Sequence, residues 1–136
     1  MGNFDIMETT VDLVHAAMLA GEVTSRELVD EYLKRVEAYE AKGPSLRSII
    51  AVNPKACDEA DNLDRLLADT GKFSGPLHGI PVMLKDNVNT FDMATTAGSA
   101  SLDGYVPDED AFITNRLREA GAIILAKTNL HEFAIW

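Results

Sequence analysis

The chain has 136 residues and a formal net charge of −10, from 12 Lys plus Arg against 22 Asp plus Glu. This length fits one small domain or a part of a larger one, and the acidic balance gives no general attraction for nucleic-acid phosphates or anionic lipid. Apolar residues make up 46% and are spread along the chain, which argues against intrinsic disorder.

The single cysteine, Cys57, excludes an internal disulfide and suits a reducing compartment. Met1-Gly2-Asn3-Phe4-Asp5 has neither a basic n-region nor an apolar h-region. Met1-Gly2 opens like a myristoylation site, but Ile6 stands where that motif needs Ser or Thr. No run approaches the roughly 18 apolar residues of a membrane span. The expectation is a cytoplasmic protein with no membrane partner.

The first half has the pattern of helices. Val11, Val14 and Met18 recur at helical steps through Thr10–Ala20, and Gly21 supplies a stop. Thr24-Ser25-Arg26-Glu27 fits a capping box, with Val23 and Leu28 as a hydrophobic staple. Leu28, Tyr32, Val36 and Tyr39 then line one face until Gly43-Pro44. Leu46 to Val52 reads as a strand. Pro54 to Asp69 reads as a third helix, with Pro at its first position, Ala56, Ala60, Leu63 and Leu67 as its stripe, and Gly71 after it. Cys57 falls in this helix as a packing residue.

The pattern changes at Gly75. Ile80-Pro81-Val82-Met83-Leu84 is a continuous apolar run, as in a strand covered on both faces, with Pro81 at its start or on an unpaired side. A long connection runs from Asp86 to Pro107. Asp108 is the expected N-cap of a helix to Ala120 with Phe112, Ile113 and Leu117 inward. Ala122–Ala126 is a second buried-type strand. Strand, helix and strand at this spacing form a βαβ unit with parallel strands. A last helix is expected after Thr128-Asn129, with Asn129 at its cap. The closing Phe133-Ala134-Ile135-Trp136 is apolar, which reads as an incomplete chain.

Lys85 follows the first buried-type run directly, at the carboxyl end of a parallel strand, where open α/β sheets build their sites. A lysine withdrawn from water there has its charged form disfavoured and can serve as a base. On residue chemistry alone the commoner reading is an ion pair between Lys85 and Asp86. Asp86 and Asn87 suit a tight turn that shapes a site without reacting. Thr95-Thr96-Ala97-Gly98-Ser99 is either a pocket lining or a solvated turn. It lacks the strand-turn-helix of a Gly-x-Ser-x-Gly elbow, so Ser99 and Ser101 are poor nucleophiles. Asn129 is a helix cap first, and a neighbour of the Lys85 cavity second. His15, His78 and His131 are scattered and form no metal motif, and His78 reads as a surface or packing group. No metal site, cofactor or nucleotide motif is expected.

Taken in order, several segments resemble the amidase-signature family. Gly75-Pro76-Leu77-His78-Gly79-Ile80-Pro81-Val82-Met83-Leu84-Lys85-Asp86-Asn87 resembles its first block, and Thr95–Ser99 the next. Asp110-Ala111, Arg116–Ala122 and Lys127-Thr128-Asn129-Leu130-His131-Glu132-Phe133-Ala134 resemble the blocks after it. The resemblance implies an α/β fold in which N-terminal helices pack outside the first strands of a mixed sheet, an incomplete domain. Within it, residues 1–73 read as a helical portion and residues 74–136 as the lysine-bearing βαβ portion of one domain.

The resemblance also implies hydrolysis of a carboxylic amide by a Ser–cis-Ser–Lys triad, with the lysine at Lys85, which reverses the reading of that residue as a bystander. Asp86, Asn87 and Asn129 would shape the site. The family's Gly-Gly-Ser-Ser-Gly-Gly block, which carries both serines and the oxyanion loop, has no counterpart here. The chain alone is therefore expected to be inactive. The expected partners are a small amide substrate and either a second copy or the remainder of the amidase domain. Two alternatives stand: a non-catalytic interaction module, and the glutamine-hydrolysing subunit of an amidotransferase.

Overall fold

A computed structural model describes residues 4–40 and 42–135. The leader reading at Met1-Gly2-Asn3 and the apolar terminal Trp136 lie outside the described residues. Four helices surround a three-stranded sheet: α1 (Val11–Ala20), α2 (Ser25–Glu40), β1 (Ile49–Val52), α3 (Ala56–Thr70), β2 (Pro81–Lys85), α4 (Phe112–Glu119) and β3 (Ile123–Thr128). Short 3-10 turns cover Ala100–Leu102 and Glu132–Ala134.

The helix starts follow their local chemistry. The Thr10 side chain accepts from Leu13 N at the start of α1, and Gly21 closes it in the left-handed region. The capping box of α2 forms as expected. Thr24 N donates to Glu27 Oε2 at 3.0 Å, and Glu27 N donates to Thr24 Oγ1 at 3.1 Å. A second cap comes from α3: Asp64 accepts from Ser25 N at 2.7 Å and Arg26 N at 2.9 Å. The negative side chain sits where the helix dipole and its free N–H groups favour it. Asn53 Oδ1 accepts from Lys55 N, so Asn53-Pro54 forms a turn and α3 begins two residues later than the proline rule implies.

The sheet order is β1-β3-β2, with β1 antiparallel and β2 parallel to β3. This is the mixed α/β arrangement the sequence implies. β3 is central and its first five residues are buried. Ile123 and Leu125 pack on Val29, Ala56 and Ala60 of α2 and α3. Ile124 packs the other way, on Leu84 and Met93. The two strands are not equivalent, however. β2 has only Leu84 buried, and Met83 is 39% exposed. Among the described residues β2 is an edge strand, with Pro81 first, where a missing N–H costs least.

Two glycines permit the close approach that starts this pair. A Cβ on Gly75 would lie 2.5 Å from the Ala120 carbonyl oxygen, and Gly121 has φ +89 with a Cβ position 2.4 Å from Ser74 Oγ. Across this contact Leu77 N donates to Ala120 O and Gly79 N to Gly121 O.

Two helical expectations are corrected. α4 starts at Phe112, with Ala111 at the N-cap, so Asp108 does not cap it. Asp110 is held in the preceding loop, accepting from Phe91 N and Arg118. Its inward face also differs: Thr114 is fully buried, with its hydroxyl on Asn89 O, and Leu117 partly so, while Phe112 is 82% exposed and Ile113 lies outward. Among the described residues after Asn129 there is a 3-10 turn and no α-helix, with Phe133 at φ 49. Asn129 therefore caps no α-helix.

Candidate active site

β2 and β3 run parallel, so their carboxyl ends lie side by side, with Lys85 paired in register with Thr128. Lys85 is exposed, and among the described residues it makes no ion pair or side-chain hydrogen bond. The expected Lys85–Asp86 pair does not form. Asp86 turns inward, fully buried, and meets a different lysine. Lys127 Nζ lies 3.2 Å from Asp86 Oδ1, with both side chains at 0% exposure.

This pair sits at the centre of a hydrogen-bonded knot. Lys127 Nζ donates to Thr95 Oγ1 at 2.8 Å and to the Ala94 carbonyl at 3.2 Å. Asp86 Oδ2 accepts from Thr96 N at 3.0 Å and from Thr96 Oγ1. The Asp86 backbone joins in: its N–H donates to Thr128 O at 3.0 Å and its carbonyl accepts from Ala97 N at 2.9 Å. Burial pushes the Lys127 ammonium below the usual lysine range, and the Asp86 carboxylate pulls it back up. A buried charge persists only when paired and hydrogen-bonded, and both conditions are met here.

A β-irregularity explains why Lys127 points inward. Val82 pairs with Ile124 and Leu84 with Lys127, so three steps on β3 match two on β2. Strict alternation would put Lys127 on the side of Ile123 and Leu125, against α2 and α3. The extra residue turns it to the side of Ile124, under the Ala94–Ala97 loop. Bulges near sites commonly re-aim a side chain in this way. Sequence reasoning missed Lys127. The signal was available, because Lys127 follows the run Ala122–Ala126 as Lys85 follows Ile80–Leu84.

The Thr95–Ser99 loop is not a solvated turn. Thr95 and Ser99 are each 5% exposed. Ser99 Oγ donates to Glu132 Oε1 at 2.6 Å, and Phe133 N donates to Ala97 O at 2.8 Å. The second and last resemblance blocks therefore meet at the end of the first. Asn87 is exposed in the turn closed by Val88 N and Lys85 O. Asn129 faces elsewhere: its Nδ2 donates to Arg47 O at 2.9 Å and its N–H to Ser48 O at 2.7 Å, which ties it to the approach of β1.

The histidines take no part. His78 is fully buried, its ring tilted at 36° against Phe73 with centroids 5.0 Å apart, and its Nδ1 accepts from Ser74 N at 3.1 Å. It is a packing group, not a surface one. Burial first, and then the neighbouring His15, lower its proton affinity, against a weaker pull from Asp64. The folded chain therefore holds a proton on His78 less readily than the unfolded chain, which takes one up as pH falls through about 6.5. The contribution of His78 to stability is therefore present above that pH and is lost as pH falls below it. The slope of urea midpoint against pH on the acid side is expected to be shallower in His78→Gln, and an unchanged slope would refute this assignment. Among the described residues no group of three His, Cys, Asp or Glu is placed to hold a metal.

The profile of the amidase family matches residues 27–136. The chain belongs to the amidase-signature family. Among curated relatives, a chloroplastic/mitochondrial glutamyl-tRNA(Gln) amidotransferase subunit of Zea mays is 47% identical over 124 residues, 90% of this chain and 22% of that protein. A probable amidase of Arabidopsis thaliana is 42% identical over 134 residues, covering 96% and 25%. The crystal structure of native peptide amidase from Stenotrophomonas maltophilia superposes with a TM-score of 0.88 at 49% identity, over 93% of this chain and 26% of that one. The chain thus spans about a quarter of the length of the amidases it matches, and it is an incomplete portion of the amidase fold.

Proposed function

We propose that this segment supplies the lysine of an amidase that cleaves a carboxylic amide to acid and ammonia, with Lys85 as the base of a Ser–cis-Ser–Lys triad. The observation that carries the reading is the placement of Lys85 at the carboxyl end of a parallel strand, beside a rigid turn fixed by Asp86. Open α/β sheets place their chemistry at such ends. In the reaction a serine oxygen attacks the amide carbon, the nitrogen leaves with a proton as ammonia, and water then releases the acid and restores the serine. Lys85 would take the proton that a bridging serine draws from the nucleophile. Asp86 and Asn87 shape the turn. No residue of this chain is assigned to either serine or to the oxyanion donors.

The isolated 136-residue chain is expected to release no ammonia, whereas the protein at full length does so. Ammonia release from a peptide C-terminal amide and from glutamine, measured on both, tests this. Activity in the isolated chain, or none in the full-length protein, overturns the reading. A second reading, the glutamine-hydrolysing component of an amidotransferase, is supported by the likeness to the maize protein. Glutamine cleaved in preference to peptide amides would select it.

A further inference from the structure

We infer that the buried Lys127–Asp86 pair is a positioning device that fixes the direction in which Lys85 leaves the strand end. The inference rests on the proposed role of Lys85. Asp86 is the residue next to Lys85, and its backbone groups and one carboxylate oxygen are hydrogen-bonded, while Oδ1 has the Lys127 ammonium as its ion partner and no hydrogen bond. Its N–H is bound to Thr128 O and its carbonyl to Ala97 N. One carboxylate oxygen is bound to Thr96, and the other faces Lys127 Nζ at 3.2 Å. The Lys85 carbonyl is in turn bound to Val88 N at 2.9 Å. The backbone of Lys85 is thus pinned on its C-terminal side by a knot that closes only when Lys127 neutralises the buried carboxylate.

Lys127 touches no solvent and has no route to a substrate in this arrangement, since its ammonium donates to Thr95 and Ala94 and faces Asp86 as an ion partner. Its effect is exerted through the turn. The pairing also fastens the Ala94–Ala97 loop over the strand ends, so one buried cation sets both walls beside Lys85. The groups it joins (Asp86, Ala94, Thr95 and the end of β3) all lie beside the strand end that carries Lys85.

The test uses the full-length protein with Lys127→Met, Asp86→Asn and the double variant. A shift of about 1 Å at a reacting group costs on the order of 100-fold in rate. Each single variant is expected to lose about that factor in kcat with KM nearly unchanged, and the double variant is expected to lose no more than the worse single one. Thr95→Val keeps shape and removes one partner of Lys127, so it reads the same effect, at smaller size, if the charge variants fail to fold. Hydrogen exchange at the Thr96 and Ala97 amides gives a readout independent of activity, and protection is expected to fall in Lys127→Met.

A wild-type protein without amide hydrolysis overturns the proposed function and leaves the exchange result to decide the pair. An active wild type whose Lys127→Met and Asp86→Asn variants keep kcat, lose only KM, or lose rate multiplicatively in the double variant overturns the inference. So does unchanged exchange at Thr96 and Ala97.

Discussion

Lys85→Ala is expected to lower kcat for amide hydrolysis in the full-length protein by about 100- to 10,000-fold, the usual range for loss of a positioned acid–base group. KM should change little, because the lysine would act on the serines and not on the amide itself. The protein should still fold. Lys85 is exposed and, among the described residues, makes no ion pair or side-chain hydrogen bond, so its truncation leaves no buried group unpaired. Ammonia release, measured alongside thermal unfolding, separates the two quantities. A variant that keeps kcat would remove Lys85 from the chemistry, and one that unfolds would show that the side chain holds structure.

Arg118→Leu is expected to show the reverse pattern, a loss of stability and not of chemistry. Arg118 is 20% exposed and holds two carboxylates that are each 2% exposed: Asp92 Oδ2 at 2.8 Å and Asp110 Oδ2 at 2.9 Å. It also reaches Glu59 of α3 at 3.5 Å, and its guanidinium lies 5.1 Å from the Phe91 ring centre. One planar fork thus joins α3, the loop after β2 and α4. Removing it strands buried carboxylates, a change that costs about 3–5 kcal/mol. Lysine would not substitute, since its single ammonium cannot present the same fork of donors. Urea unfolding measures the loss. A decrease below about 1 kcal/mol would place Arg118 among ordinary surface pairs. The same cluster accounts for Glu59, whose carboxyl burial pushes upward and Arg118 holds back down.

Together these predictions separate two kinds of charged residue in one small sheet. Arg118 and Lys127 are cations whose partners are buried carboxylates. Lys85 is the cation left outward at the strand end. Residue chemistry alone pairs Asp86 with its nearest neighbour in sequence. The fold gives Asp86 a distant partner, Lys127 on β3, and so leaves Lys85 exposed.

The start of α2 was legible from the Thr24–Glu27 box, because caps are local: a side chain three residues away satisfies the free N–H groups. The parallel pairing of β2 and β3 was legible too, from two apolar runs separated by a helix. The amidase-signature assignment came from ordered blocks, which periodicity cannot weigh. The α4 boundary was not legible, since Asp108 and Asp110 are equally good caps by type, and Arg118 decides which acid is drawn into the loop. The 3-10 turn after Asn129 was likewise hidden, because Asn129 spends its side chain on Arg47 and on its neighbour Leu130.

By itself, the sequence determined the start of α2, the class of the sheet, the family and the strand end that carries Lys85. Each of these depends on near neighbours or on motif order. The tertiary structure alone decided which lysine is buried. One extra residue in β3 reverses the side-chain alternation and turns Lys127 under the Thr95–Ser99 loop, where Asp86 faces it at 3.2 Å. Alternation is a local rule, but a bulge is set by the partner strand, and the partner strand is known only once the chain has folded.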